Sequence, residues 1–218
     1  MEQQLQAGGV TCILTSCGRF DLLRITLDSF FKFNTYDIAE FYIYEDSHLD
    51  IPEWLTDLYP FIKIAGSNYK MGQIHALDTL WQKVKTEYAF HMEDDWEFLR
   101  EGFIEESMYV LKSEQKVMQV WLQPLEPKNT HPIDWYRHDY GIFKTSPTLW
   151  AWHRFNPSLK RKIDYDLIAP FSKHTTFNPS KGWKSEAAIS KVYNNLGFTA
   201  AMLPTQYIKH IGGGRRCV

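Results

Sequence analysis

The sequence predicts an α/β fold, a Rossmann-like and mainly parallel sheet with helices on both faces. Two observations predict it. Short apolar runs alternate with stretches of helical periodicity through the first half of the chain, and the apolar runs end in polar clusters at Thr15-Ser16, Glu45-Asp46-Ser47 and Glu93-Asp94-Asp95. In an open parallel sheet such clusters would meet at one rim, beyond the carboxyl ends of the strands, where ligands bind.

The elements follow in order. Residues 10–15 read as a buried strand, and residues 21–33 as a helix with Leu22, Leu23, Leu27, Phe30 and Phe31 on one stripe and Asp21 as its N-cap. Residues 41–44 form a second strand, and residues 61–65 a third after a turn marked by Pro60. A helix over residues 71–85 carries Met71, Ile74, Leu77, Trp81 and Val84 at helical spacing, and the strand at residues 88–92 runs into Glu93-Asp94-Asp95. A helix at 103–112 and a strand at 117–122 precede a stretch, 124–179, rich in Pro, Trp, His and Tyr, which reads as a functional loop region. Regularity returns with a helix at 185–196 closed by Gly197, a strand at 198–203 and the tail from Tyr207 to Gly212.

At 218 residues the chain suits one domain. Aromatic residues make up 16% of it, enough to fill a core and line a cleft as well. The net charge of −2 supplies no broad positive field for nucleic acid or an anionic membrane. Cys12, Cys17 and Cys217 are an odd number without ligand-like spacing, so neither a disulfide framework nor a zinc site is indicated and a reducing, cytoplasmic setting is expected. No stretch reaches the ~18 apolar residues of a membrane span. G-x-G-x-x-G after the first strand and the P-loop pattern are both missing, so a nucleotide would be held through carboxylates and a metal.

Three consecutive acidic residues at a strand exit repel one another unless something compensates them, and carboxylate oxygens suit Mg²⁺ or Mn²⁺. Alternation along a strand puts Glu93 and Asp95 on one side and Asp94 on the other. A solvated acidic turn is the plainer reading of the same triplet, and its place at the sheet rim favours the metal. Asp46 can accept hydrogen bonds from a ribose or a base N–H, or serve as a turn-former.

Thr11 to Phe30 with Thr15, Ser16 and Arg19 at its centre, then Tyr44-Glu45-Asp46-Ser47, then residues 68–72 opening a helix, then Glu93-Asp94-Asp95, together resemble the nucleotide-sugar-binding half of GT-A glycosyltransferases, particularly the inverting family 2 type. The resemblance covers residues 10–100 well and the remainder loosely. It implies a single GT-A domain over 1–218, with a donor half at about 10–100 and an acceptor half at about 101–218. Thr15, Ser16, Arg19, Asp46 and Asp94 would then bind the donor, while Asp95, Glu93 and His210 would hold the metal. Glu stands at position 93 where the family more often has Asp, so Asp95 is the stronger ligand. His210-Ile211-Gly212 looks like the family's late His-x-Gly, and Trp183-Lys184-Ser185-Glu186 like the position of its acidic general base. A Glu in a first helical turn also suits the helix dipole, which leaves Glu186 a structural reading. Trp150, Trp152, His153, Arg154 and Trp183 fall on the acceptor side, with at least one tryptophan left for the core. His91, His131, His138 and His174 show no metal-like spacing.

The implied activity is transfer of a sugar from a nucleoside-diphosphate sugar, UDP-sugar favoured, to an acceptor hydroxyl, with divalent metal as cofactor and inversion at the anomeric carbon. Glycan, lipid-linked saccharide and protein acceptors stay open, modified nucleic acid less so. The rivals are a sugar nucleotidyltransferase, which usually has a Gly-rich loop that Thr15 to Phe20 does not provide, and an inactive sugar-binding protein of the same fold.

Overall fold

A computed structural model describes residues 9–124, 133–136, 139–144, 152–175 and 182–215. Strands β1 (Val10–Ser16), β2 (Ile38–Glu45), β3 (Ile62–Gly66) and β4 (Tyr88–Glu93) alternate with helices α1 (Phe20–Phe33), α2 (Glu53–Leu58) and α3 (Gln73–Lys83). They form a parallel sheet in the order β3-β2-β1-β4, extended by β9 (Ser158–Arg161), which runs antiparallel against β4. The mainly parallel sheet expected from the alternation is present.

Every residue of β1 is buried, because both faces of the sheet are covered. Alternate side chains divide between two cores. Cys12 and Leu14 join Leu23, Leu27 and Phe30 of α1 on one face, where α4 (Phe103–Ser113) adds Phe103, Ile104 and Leu111. Ile13 turns to the other face, packed with Ile74, Leu77 and Trp81 of α3 and with Ile189 and Tyr193 of α6 (Gly182–Asn195). Phe30 anchors the first core, its ring 5.2–5.9 Å from those of Phe41, Phe90, Phe98 and Phe103. Such pairs contribute about 0.5–1.5 kcal/mol each beyond their burial.

Asp21 is not the N-cap of α1. Arg19 holds that position without a side-chain cap bond, and Asp21 lies in the first turn, paired with Arg215 at 2.5 and 3.0 Å. The stretch expected as an irregular loop supplies β7 (Ile133–Tyr136), β8 (Tyr140–Phe143), β9 and α5 (Lys162–Asp166). β7 and β8 join β6 (Val117–Trp121) and β10 (Thr199–Met202) in a second sheet, ordered β6-β10-β8-β7. The short strands β5 (Trp96–Phe98) and β11 (Ile208–His210) pair antiparallel, with Trp96 opposite His210. Among the described residues no helix is long and apolar enough to cross a membrane.

Candidate functional site

The strand register brings the polar clusters together. Ser16 of β1 lies opposite Glu45 of β2, and Thr15 lies opposite Glu93 of β4, so three distant segments end at one rim. Asp94 and Asp95 form the turn between β4 and β5. That turn is fastened to α1 by a hydroxyl the sequence reading missed. Thr26, buried on the apolar stripe of the helix, donates to the Asp94 carbonyl at 2.9 Å and accepts from the Trp96 N–H at 3.1 Å. Ser29, one turn along, accepts from the Phe98 N–H at 3.0 Å.

The carboxylates sort by direction. Asp94 points back toward β1, where its Oδ2 accepts from Ser16 Oγ at 3.2 Å and the Cys17 N–H at 3.1 Å. Arg19 pairs with the same carboxylate through Nη2 and Nε and reaches Asp95 Oδ2 through Nη1 at 2.7 Å. Burial pushes the Asp94 carboxyl up to about 6, and Arg19 opposes that rise. Buried Asp94 thus serves as the post that orders Arg19 and the exit of β1.

Asp95 faces the tail. Its Oδ2 lies 3.2 Å from His210 Nε2, and its carbonyl accepts from the Ile211 N–H at 2.9 Å. A Cβ placed on Gly212 would stand 2.5 Å from Asp95 Oδ2 and 2.8 Å from His210 Nε2, so a larger residue there would displace one of those side chains. The tail thus runs back along β5 and over the Asp94-Asp95 turn. Arg215 continues the strap, pairing with Asp21 while its carbonyl accepts from Arg19 Nη1 at 3.5 Å.

Glu93 is turned toward α3 and β5, accepting from Gln73 Nε2 at 2.5 Å and Trp96 Nε1 at 3.3 Å. Burial raises its carboxyl well above the ordinary range, and the charges of Asp95 and Glu186 raise it further. Glu186 accepts from the Phe155 N–H at 2.9 Å. Burial also lifts Glu186, against that hydrogen bond and the positive charges of Arg154 and Lys160.

Asp46 is not an open nucleoside acceptor on both oxygens. Its Oδ1 takes the N–H groups of Met71 and Gly72 at 2.7 and 3.0 Å and so fixes the loop that opens α3. Burial raises its carboxyl, with those two amides opposing. The neighbouring Glu45, fully buried, accepts from the Gly18 N–H at 2.7 Å, while its Oε2 has no hydrogen-bond partner among the described residues. Gly18 adopts φ 70°, a left-handed conformation that favours glycine.

On the side expected to meet an acceptor, Trp152 proves to be core, fully buried and stacked on Phe143 with ring centroids 4.5 Å apart. His153 is buried too, Arg154 lies 4.0 Å over the Trp121 ring, and Trp183 is half exposed on α6. Trp150, His131 and His138 lie outside the described residues.

Asp95 and His210 converge and offer one oxygen and one imidazole nitrogen, a pairing Mn²⁺ accepts. No group of three or more His, Cys, Asp or Glu side chains converges on a cation among the described residues. Two protein ligands suit an ion whose remaining positions are filled by phosphate and water, a common arrangement for Mg²⁺ with nucleotides.

No protein-family model matches the sequence, and no curated protein matches it significantly. Solved structures match throughout the chain. GalNAc-T7, solved with UDP, GalNAc and Mn²⁺, superposes at a TM-score of 0.63 and 13% identity over 93% of this chain and 43% of its own. The mannosyltransferase PcManGT from Pyrobaculum calidifontis, in complex with GDP-Man and Mn²⁺, gives 0.66 and 10% over 98% and 60%. S. aureus TarS 1-349 gives 0.60 and 9% over 91% and 59%. The chain thus spans less than two thirds of each of these structures. At such identities the likeness speaks for the fold, and the fold of this chain is the mixed α/β, mostly parallel GT-A fold of glycosyltransferases.

Proposed function

We propose that this chain is a metal-dependent glycosyltransferase that moves a sugar from a nucleoside-diphosphate sugar, UDP-sugar favoured, to an acceptor hydroxyl with inversion. The observation that carries the proposal is the convergence of Arg19, Asp94, Asp95 and His210 in one bonded cluster at the carboxyl rim of a parallel sheet, drawn from three separated segments. Residues 10–100 form the donor half in this reading and residues 101–218 the acceptor half.

Thr15, Ser16, Arg19 and Asp46 bind the donor at the ends of β1 and β2, with Asp94 holding Arg19 in place. Asp95 and His210 hold the metal, while Glu93, bonded to Gln73 and Trp96, shapes the floor behind them. When bound, the divalent ion neutralises charge that gathers on the departing diphosphate. Arg19 adds a fixed guanidinium beside that charge, already oriented by two carboxylates. Glu186 takes the proton of the attacking hydroxyl, and the Phe155 N–H keeps one of its oxygens turned so that the other can receive it. A single direct displacement inverts the anomeric carbon. The Mn²⁺ and nucleotide named in the GalNAc-T7 and PcManGT complexes are in keeping with this chemistry.

Thermal melts with UDP-, GDP-, dTDP- and CMP-sugars, each with and without Mn²⁺, test the reading. A ligand that binds only the folded state raises the melting temperature by mass action, about 2.7 kcal/mol at a hundred times Kd. The expected outcome is a rise with UDP-sugars that requires Mn²⁺. A rise with another base would reassign the donor, and no rise with any of them would refute the activity.

A further inference from the structure

Strand β6 is apolar except at Gln119, whose side chain is fully buried. Burying an amide is costly unless its hydrogen bonds are made, and here they are made. Oε1 accepts from the Arg154 N–H at 3.0 Å, while Nε2 donates to the Arg154 carbonyl at 3.2 Å and to Oγ of Ser158, the first residue of β9, at 3.3 Å. A backbone N–H can only donate, which fixes the end of the amide that faces it. The side chain thus pairs with both backbone groups of residue 154, as a neighbouring peptide would in a sheet.

The segment held in this way lies between β6 and α6. On the β6 side, Trp121 is two residues from Gln119 and so shares its face. It donates through Nε1 to the Trp152 carbonyl at 2.9 Å and carries the Arg154 guanidinium 4.0 Å over its ring. On the α6 side, the His153 N–H donates to Ser190 Oγ at 2.8 Å and the Phe155 N–H to Glu186 Oε1 at 2.9 Å. Ser190 and Glu186 are four residues apart and share one face of the helix. Successive amides therefore turn to α6, to β6 and to α6 again. Any slip of residue 154 along β6 would carry the Phe155 N–H away from Glu186.

We infer that Gln119 is a positioning residue for Glu186: its amide sets residue 154, and the Phe155 N–H that follows fixes the carboxylate. The consequence for turnover rests on Glu186 being the base, while the placement itself exists without donor or acceptor.

Two readouts test this. In the free protein, Gln119→Met keeps the length of the side chain and loses its hydrogen bonds, so the Phe155 amide proton should move upfield, toward its position in Glu186→Ala. With UDP-sugar and Mn²⁺, Gln119→Met should lower turnover about tenfold or more at unchanged donor KM, since a misplacement of about 1 Å can cost roughly 10²-fold. In a Glu186→Gln background the same change should lower turnover no further, because residues that act as one unit are not additive. If Gln119→Met fails to fold, Gln119→Glu decides on the same readouts, as it keeps the acceptor for the Arg154 N–H and loses the donor to the Arg154 carbonyl. An unmoved Phe155 signal in a folded variant, or losses of turnover that multiply in the double variant, would overturn the inference. A parent protein that consumes no UDP-sugar would remove the transfer reading, and the Phe155 signal would still decide the placement.

Discussion

Replacing Asp95 by Ala should abolish metal-dependent binding of UDP. Asp95 is the point where the tail, through His210 at 3.2 Å, and the β1 exit, through Arg19 at 2.7 Å, meet on one carboxylate. In the proposed site its removal takes away the anionic ligand of the ion and leaves His210 beside the Arg19 guanidinium. Even the partners behind a metal ligand cost about 10–100-fold in affinity when lost, so the ligand itself should cost roughly 100-fold or more. Calorimetry of UDP with Mn²⁺ and with EDTA checks this. Asp95→Asn keeps the shape and hydrogen-bonding capacity of the turn, so its loss of Mn²⁺ affinity would separate ligation from folding. Equal UDP affinity with and without metal, or normal Mn²⁺-dependent binding by Asp95→Ala, would remove the ion from the account.

Glu186→Gln should bind donor as the parent does and turn it over at least ~10²-fold more slowly, the contribution expected of a general base. The amide oxygen of Gln can still accept the Phe155 N–H, so the backbone contact at 2.9 Å survives and only the proton acceptor is lost. The pH dependence has a definite sign. A base works when deprotonated, so turnover is full above its pKa and falls as pH drops through it. Burial raises that of Glu186 above its usual value of 4.5, and the acid limb of the rate profile should therefore lie above 4.5. Glu186 lies past the first turn of α6, so the helix-end reading does not hold, and unchanged turnover in Glu186→Gln would leave Glu186 as the acceptor of the Phe155 N–H and nothing more.

Much of this was legible in the sequence. Apolar runs such as Val10 to Leu14 and the stripe Leu22, Leu23, Leu27 and Phe30 encode local structure through burial alone, and the polar clusters at strand ends announced the rim. Other parts depend on contacts across the chain. Ser158 to Arg161 contains two basic residues, and nothing in its pattern marks it as the fifth strand of the main sheet. Lys160 is buried only because β9 lies against β4, where its Nζ comes within 3.3 Å of His91 Nδ1. Thr26 and Ser29 left a faint signal, two hydroxyls three residues apart beside an apolar stripe, but their partners are backbone groups some seventy residues away. Asp46 was legible as a rim residue, whereas its service to the loop at Met71 and Gly72 required the fold. Trp152 lay in an aromatic stretch that gave no means of telling core from cleft, and the core took it.

In the proposed reaction a divalent ion and a nucleoside diphosphate meet at Asp95 and His210, where paramagnetic broadening by Mn²⁺ would report the ion. The His210 ring lies 4.9 Å from the Trp96 indole and beside the Asp95 carboxylate, so both rings report on an ion held there. Addition of Mn²⁺ with UDP should broaden the His210 ring and Trp96 indole signals beyond detection, and Asp95→Asn should restore them. Sharp His210 and Trp96 signals in the presence of saturating Mn²⁺ and UDP would contradict the account.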